Sequence, residues 1–431
     1  MFQITRRILL AAGILLLAYG CTDRGTNIVD RPTSVGGVLN DGHDFFPELL
    51  LQLGRNVGQT DSLTRVPLQL RSYAPEGSWS PISGGQPRRV PLLILLAPQD
   101  GDEYYFFNHG LKELADELIA TGTIQPMYIV CVPSDPIFGG YFYAGLSAPA
   151  GYYDTLIPYS LAERLVTSSG GAVDLSLPVG IGGIGMGGYG AFRAALLRKD
   201  FFTSISVTDG PYDFDGPLGM TGFVSLFDEA LREQGLLNAD GWKTQFDSSG
   251  AWHLSRLFIG GGLAFSPHDT FVDTVGITEV LDLARTKLRI QIASSKRFTF
   301  DDSTTLISGI VRSARPELDF DFHLPFDSTG QLYVPIWSRW MRNNLDSLLA
   351  EHADALDGIK VWIATSPEYE FGNYREQTLS WIQTLQMYAT ADLSVKEYTG
   401  APGSPARDDR YVYELLRDIL IFHSRAFEEA N

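Results

Sequence analysis

Residues 179–199 carry the pattern that most restricts how this chain can fold. Val179 to Ile184 is an apolar run of strand length, and an Ala- and Leu-rich stretch follows it from Gly187 to Lys199. Between the two lies the sequence Gly183-Ile184-Gly185-Met186-Gly187. Because glycines allow a tight turn and a close approach between backbone segments, we expect a strand–turn–helix unit here.

The glycine-rich turn has three possible interpretations. It matches the context of a nucleophile elbow, G-x-S-x-G, with Gly185 at the serine position. A phosphate-binding P-loop is excluded because the Gly-Lys-Ser/Thr ending is missing. A dinucleotide-binding loop stays open, since Gly183, Gly185 and Gly188 fit G-x-G-x-x-G and Asp209 follows 21 residues after Gly188. That fingerprint normally opens its domain, whereas here it comes late, and Asp209 also suits a turn in Asp-Gly-Pro.

Short apolar runs alternate with helical patterns along most of the chain, which predicts a mainly parallel α/β sheet covered by helices on both faces. Cys131 lies in one of these runs and is expected to be a small core side chain. The predicted strands are 66–73, 90–97, 127–132, 179–184, 205–208 and 359–365, and the predicted helices are 111–120, 159–167, 187–199, 374–389 and 410–427.

The N-terminus predicts export. Arg6 and Arg7 precede an apolar run of signal-peptide length that ends in Ala18-Tyr19-Gly20-Cys21, so residues 1–21 read as a lipoprotein signal peptide. We expect Cys21 to be lipidated and to anchor the chain to the bacterial cell envelope, on the periplasmic or outer surface. Ordinary secretion with a free Cys21 is the alternative. Residues 22–59 would form a polar tether and N-terminal extension.

The net charge of −18 argues against nucleic-acid partners, because phosphate binding needs clustered Lys and Arg. No cofactor is expected. The spacings of His253, His268 and His323 match no zinc signature, so no metal site is predicted either. His423 falls inside the last helical pattern, where a surface or packing role is favoured over catalysis.

Several motifs together resemble one family of α/β hydrolases, which includes esterase D, feruloyl esterases, enterochelin esterases and mycolyltransferases. The helix start Met186-Gly187-Gly188-Tyr189-Gly190-Ala191 is similar to the elbow of that family. The resemblance covers roughly residues 60 to 425 and implies a three-layer α/β-hydrolase fold. Further matching segments are 73–77, 91–96, 142–145, 212–214, 264–267, 324–327 and 337–340.

The same resemblance implies that the catalytic positions have changed. Acyl transfer needs a nucleophile, a base, an acid that orients the base, and donors for the oxyanion. Gly185 stands at the nucleophile and Pro402 at the base. The acid position falls on Tyr369, which Glu368 and Glu370 flank. The oxyanion loop reads Ala97-Pro98-Gln99, in which Pro98 has no N–H to donate.

Residues 60–431 are therefore predicted to form an esterase-like α/β-hydrolase domain, with an insertion at 270–318 near the mouth of the site. Within the insertion we expect a strand at 288–293, then a helix with Leu306, Ile307, Ile310 and Val311 on one face. The insertion would serve as a lid or a protein-contact surface.

The leading hypothesis is an envelope-anchored, non-hydrolytic protein of esterase type that binds a small molecule, a glycan or an envelope protein. Whether the chain is an enzyme stays open at this stage. One alternative is an active carboxylic ester hydrolase with a displaced catalytic constellation, such as a serine from the insertion. Another is a structural subunit of an envelope complex. In each case the membrane is reached only through the N-terminal lipid.

Overall fold

A computed structural model describes the chain in several segments. The described residues are 69–78, 88–134, 142–144, 157, 159, 161–215, 222, 226, 253–266, 332–366, 374–398 and 409–430, together with short strands at 37–39, 44–45, 50–52, 63–65, 243–245, 289–295, 306–312 and 320–327.

The described core is a mixed β-sheet whose strand order is β1-β2-β4-β3-β5-β6-β7-β8. Along this path the pairs β1–β2 and β2–β4 are antiparallel, and the other pairs are parallel. A short strand, Asp44–Phe45, pairs with β2 beside this path. The main strands are β1 (Gly37–Leu39), β2 (Gln69–Pro75), β3 (Leu92–Leu96), β4 (Tyr128–Val132), β5 (Val179–Ile184), β6 (Ser204–Thr208), β7 (Lys360–Thr365) and β8 (Asp392–Glu397).

Helices cover both faces of this sheet. A 3₁₀ turn, Ala353–Leu356, follows the seventh helix. The helices are α1 (Tyr105–Asn108), α2 (Leu111–Ala120), α3 (Leu161–Ser168), α4 (Met186–Leu197), α5 (His253–Phe265), α6 (Val334–Met341), α7 (Leu345–Glu351), α8 (Tyr374–Tyr388) and α9 (Asp409–Ala430).

Alternate residues of the central strands point into two separate cores, as their continuous apolar runs require. Leu92, Ile94 and Leu96 pack with α3, α4 and α6 to α8 on one face. Leu93 and Leu95 pack with α2 and α9 on the other. This confirms the predicted fold: three layers, a mainly parallel sheet, and the strand order of an α/β hydrolase.

Several sequence predictions agree closely with the observed elements. The strand Val179–Ile184 and the helix Leu111–Ala120 have the predicted bounds. The helix after the glycine-rich turn begins at Met186, one residue earlier than expected, and ends at Leu197. Cys131 is buried in β4, as expected of a core residue. None of the described helices combines the length and the apolar composition that a membrane span requires.

The helix predicted within 302–311 is wrong. Leu306–Arg312 is a strand, flanked by Arg289–Ser295 and Phe320–Asp327 in a four-stranded antiparallel sheet that also includes Lys243–Gln245. The apolar spacing suited a helix, but Ile307, Ile310 and Val311 are β-branched and favour a pleated surface. The strand predicted at 288–293 is confirmed.

Glycines let α4 lie unusually close to the central strands. A Cβ on Gly187 would overlap the carbonyl oxygen of Leu96 at the end of β3. A Cβ on Gly183 would overlap the carbonyl group of Gly187. The turn between β5 and α4 therefore has no room for side chains at these two positions, and the sharp strand-to-helix reversal depends on them.

This packing predicts that Gly187→Ala destabilises the protein, although Gly→Ala inside a helix ordinarily adds about 1 kcal/mol of stability. We expect the free energy of unfolding to fall by about 3 kcal/mol or more, because backbone atoms cannot yield as side chains do. Urea unfolding would measure it. Gly122→Ala is the matched control: Gly122 has a φ of +68° and open space around it, so only a backbone cost of about 1–2 kcal/mol applies. A Gly187→Ala variant as stable as the parent would contradict this packing.

Candidate functional site

The turn between β5 and α4 is centred on Gly185. This residue has φ +57° and ψ −118°, a conformation that strains any residue with a side chain. Its N–H donates to the Thr208 carbonyl at 2.9 Å, and its carbonyl accepts the Tyr189 N–H at 3.2 Å. The turn thus holds residue 185 at the carboxyl edge of the sheet and at the N-terminus of α4, where an elbow presents its nucleophile. Glycine offers no reacting atom there.

The loop after β3 lies beside this turn, because β3 and β5 are neighbours in the sheet. The Ala97 N–H is committed to the Val132 carbonyl at 3.0 Å, and the Pro98 carbonyl accepts the Gly101 N–H at 2.9 Å. Pro98 itself has no N–H. Neither Ala97 nor Pro98 can therefore donate to a developing oxyanion from the backbone. The loop also contains the exposed Asp100, held at φ +64°.

Phe142 and Tyr143 close over the turn from another segment. Both have positive φ, +56° and +47°, and both are buried. The Phe142 N–H donates to the Met186 sulfur at 3.3 Å, and the Tyr143 hydroxyl contacts the Ala97 carbonyl at 2.8 Å. Met186 is itself buried. These contacts fix the residue after Gly185 and the start of the Ala97–Gln99 loop in one arrangement.

Asp209 follows β6, and its carboxyl group is completely buried. Its Oδ1 accepts the Thr365 hydroxyl at 2.6 Å, and its Oδ2 accepts the Ser366 N–H at 2.7 Å. Burial raises the pKa of Asp209 to about 7, although these donors oppose the shift. A dinucleotide-binding loop would need this acid open to a ribose hydroxyl, whereas here it is enclosed by protein groups. The sequence left two interpretations of Asp209, a turn residue or the acid of a dinucleotide-binding loop, and neither predicts this network.

His423 lies on α9 and is also fully buried. Its Nδ1 is 2.7 Å from the Ser204 hydroxyl, and its Nε2 is 2.8 Å from the Ser206 hydroxyl. Burial lowers the pKa of His423 to about 3, so the ring is neutral at physiological pH. Of the two alternatives raised by the sequence, surface or packing, the structure shows packing.

The position of His423 separates it from the turn. A Cβ on Gly180 would meet the His423 ring, so the imidazole lies over the beginning of β5. Gly185 is five residues further along the chain, about 16 Å at the usual strand rise. His423 is therefore far outside hydrogen-bond reach of residue 185.

Several residues that the sequence singled out lie outside the described residues or in other parts of the fold. Cys21, Tyr369 and Pro402 lie outside the described residues, as does His268, while His253 begins α5 and His323 lies in Phe320–Asp327. Within the described segments, no group of three or more His, Cys, Asp or Glu side chains is arranged to hold a metal ion.

Sequence reasoning also missed Tyr411, which lies in the first turn of α9. It is buried, its ring packs edge-on against Tyr398 at 5.2 Å, and the negative charge of Asp209 helps to raise the pKa of its phenol. The first turn of the last helix therefore contributes an aromatic side chain near the end of β6. No local pattern around Tyr411 could have indicated a partner some 200 residues away.

Comparison with solved structures finds similar esterases and hydrolases. A ferulic acid esterase has a TM-score of 0.46 and 12% identity, over 84% of this chain and 93% of that chain. An S-formylglutathione hydrolase from Agrobacterium tumefaciens has a TM-score of 0.44 and 12% identity, over 84% of this chain and 90% of that chain. The fluorophosphonate-binding serine hydrolase FphF of Staphylococcus aureus has a TM-score of 0.43 and 13% identity, over 83% of this chain and 92% of that chain.

No family model matches the chain, and no curated protein matches it. The assignment of the α/β-hydrolase fold rests on the strand order of the sheet and on the backbone turn at Gly185.

The burial of His423 predicts a specific pH dependence of stability. The imidazole of the unfolded chain takes up a proton near pH 6.5, whereas the buried ring stays neutral down to about pH 3. Its contribution to stability is therefore present above about pH 6.5 and lost as the pH falls towards 3. Replacing His423 with glutamine should lower the free energy of unfolding by about 1–3 kcal/mol at pH 7, because the serine hydroxyls lose a hydrogen-bond partner. The variant should then lose less stability than the wild type as the pH falls.

Urea unfolding of the wild type and of His423→Gln at pH 7, 5.5 and 4.5 checks this prediction. The half-buried His352 supplies the control variant, His352→Gln, which should keep the wild-type slope in acid. If the wild type and His423→Gln lost stability in parallel as the pH fell, the imidazole would not be held neutral by its surroundings.

Proposed function

We propose that this chain is a non-hydrolytic protein of esterase type that binds a ligand or a partner protein. The observation that carries the proposal is Gly185, a residue without a side chain in the strained backbone position from which an elbow presents its nucleophile. A cleft built for acyl transfer would then serve recognition.

The surroundings of Gly185 support this proposal. Backbone donors can keep a residual acceleration of about 10³–10⁴ over water after a triad is lost. Ala97 and Pro98 offer no free N–H for that purpose. His423 is buried and bonds to two serine hydroxyls. It lies towards the opposite end of the strands from residue 185.

Glycine at position 185 also has a physical advantage once no hydroxyl is needed. A side chain in a sparsely populated backbone region costs about 1–3 kcal/mol, and glycine avoids that cost. Gly183 and Gly187 still permit the close packing of the turn. The scaffold of the site is thus retained and its strain relieved, a combination that suits binding better than catalysis.

The class of ligand is proposed from charge and location. With a net charge of −18, the chain is unsuited to polyanions, so we propose a small molecule, a glycan or an envelope protein as ligand. A fixed-stoichiometry complex recovered from detergent-solubilised membranes would favour the envelope protein, and a lone monomer would favour the smaller ligands.

The proposal predicts that serine alone does not restore hydrolysis. The wild type, Gly185→Ser and Gly185→Ala should all leave p-nitrophenyl acetate and a feruloyl ester unhydrolysed above background, because Pro402 and Pro98 stand where the family resemblance places the base and an oxyanion donor. Both variants should lose a similar stability of about 1–3 kcal/mol, since the strain comes from the Cβ and not from the hydroxyl. Initial rates and urea unfolding measure the two effects. Turnover by the wild type that a substitution in the site abolishes would refute the proposal.

We also propose that the chain is held to the cell envelope by a lipid on Cys21. The basic start of the chain and the short apolar segment that ends in this cysteine support the anchor. In a bacterial host the full chain should fractionate with membranes, and Cys21→Ser should move it to the soluble fraction or block its processing. Membrane association that persists in processed Cys21→Ser protein would contradict the anchor.

A further inference from the structure

Asp209 joins three elements next to the turn at Gly185. Its backbone N–H donates to Ala364 of β7 at 3.2 Å, and its carboxyl oxygens receive the Thr365 hydroxyl and the Ser366 N–H. The Thr378 hydroxyl of α8 lies beside this network, with its proton donated to the Tyr374 carbonyl at 2.7 Å. One fully buried side chain thus ties the end of β6 to the end of β7, next to the first turns of α8.

This network is in direct contact with the turn. Thr208, the residue before Asp209, accepts the Gly185 N–H at 2.9 Å. Gly210, the residue after it, lies so close to the Gly185 carbonyl oxygen that a Cβ would be 2.5 Å away. The Gly210 N–H in turn donates to the Thr378 hydroxyl at 3.3 Å. Any movement of Asp209 is therefore passed to the backbone around residue 185.

The neutral carboxyl group suits this enclosed position. Either partner can donate the 2.6 Å hydrogen bond between Asp209 and Thr365, so a protonated Asp209 still bonds that hydroxyl while accepting the Ser366 N–H. The ionised group keeps these hydrogen-bond donors but loses its hydration. Because Asp209 is fully buried, the loss of hydration outweighs the donors and raises the pKa. An ionised Asp209 can recover that loss only by reaching water.

The groups that face Asp209 do little to hold the ionised form. Arg375 of α8 is the cation that favours it, but this effect is the smallest of those acting on Asp209, and Arg375 also pairs with Glu397 at 3.0 Å. Tyr212 from its own loop and Tyr411 from α9 are neutral at pH 7, and the charge on Asp209 raises the pKa of both. Within the part of the chain that the structure describes, the end of β7 contributes the neutral donors of Thr365 and Ser366.

We propose that Asp209 is a proton-dependent latch beside Gly185: in its neutral form it holds the ends of β6 and β7 together, and in its ionised form it loosens them. The inference goes beyond the proposed function, because it requires neither a ligand nor the absence of hydrolysis.

The direction of the pH effect follows from the two protonation equilibria. In the open or unfolded chain Asp209 releases its proton near pH 4, whereas in the closed structure it does so near pH 7. The closed arrangement is therefore most stable below about pH 4, loses stability as the pH rises towards 7, and changes no further above that value.

Amide hydrogen exchange of the full chain at pH 5 and pH 8, corrected for intrinsic rates, tests the latch. We expect the amides of Asp209, Gly210 and Ser366 to lose protection at least about tenfold between pH 5 and pH 8, because a pKa difference of about one between the open and closed forms already changes their equilibrium by about tenfold. Amides in the middle of β3 and β4 should not change. In Asp209→Asn the same three amides should keep one level of protection at both pH values.

Asp116→Asn is the matched control, because Asp116 is also a buried carboxyl group but is paired with Lys112 at 2.7 Å and lies in α2. This variant should keep the wild-type loss of protection. If Asp209→Asn fails to fold, Thr365→Val serves as the test variant. Removing the hydroxyl that donates to Asp209 should raise the pKa of the carboxyl group further, so the loss of amide protection should extend to higher pH. Equal protection of the wild type at pH 5 and 8, or the same loss in Asp209→Asn, would overturn the latch while leaving the proposed function untouched.

Discussion

The reversal of the backbone at residue 185 is the constraint on which the rest of the site depends. Gly185 adopts a φ of +57° without strain because it has no Cβ, and Gly183 and Gly187 let α4 approach β3 and β5. The strand order then brings the Ala97–Gln99 loop and Asp209 to the same edge of the sheet. The strand–turn–helix unit that ordinarily displays a strained nucleophile is thus present, but the residue at its centre has no reacting atom.

Two buried ionisable groups show how the interior has adapted around this edge. His423 is held neutral by burial, and its hydrogen bonds to two serines fix α9 against β6. Asp209 is enclosed at the carboxyl edge, where burial outweighs the donors that surround it. Both groups are satisfied by hydrogen bonds to neutral partners instead of by ion pairs, which avoids much of the desolvation cost of buried charge. Burial moves the two pKa values in opposite directions, because it favours the neutral form of each group.

The sequence predicted the sheet better than the site. Val179–Ile184 and Leu111–Ala120 have clear periodicity and flanking turn residues, so their bounds were found directly. Leu306–Arg312 was mistaken for a helix because its pairing partners on both sides decide its conformation. The partners of His423 lie 217 and 219 residues away, and those of Asp209 lie 156 and 157 residues away. Contacts over such separations follow from the fold, and no local pattern reports them.

The central claim is that this protein has no reactive nucleophile at residue 185, where an α/β hydrolase would present one. Incubating the purified wild-type chain with a fluorophosphonate, a reagent that modifies activated serines, tests it directly when intact mass is read before and after. The account predicts an unchanged mass, with heat-denatured protein giving the same result. A stoichiometric adduct on one serine of the native chain, absent after denaturation, would reveal a catalytic constellation elsewhere and contradict the account.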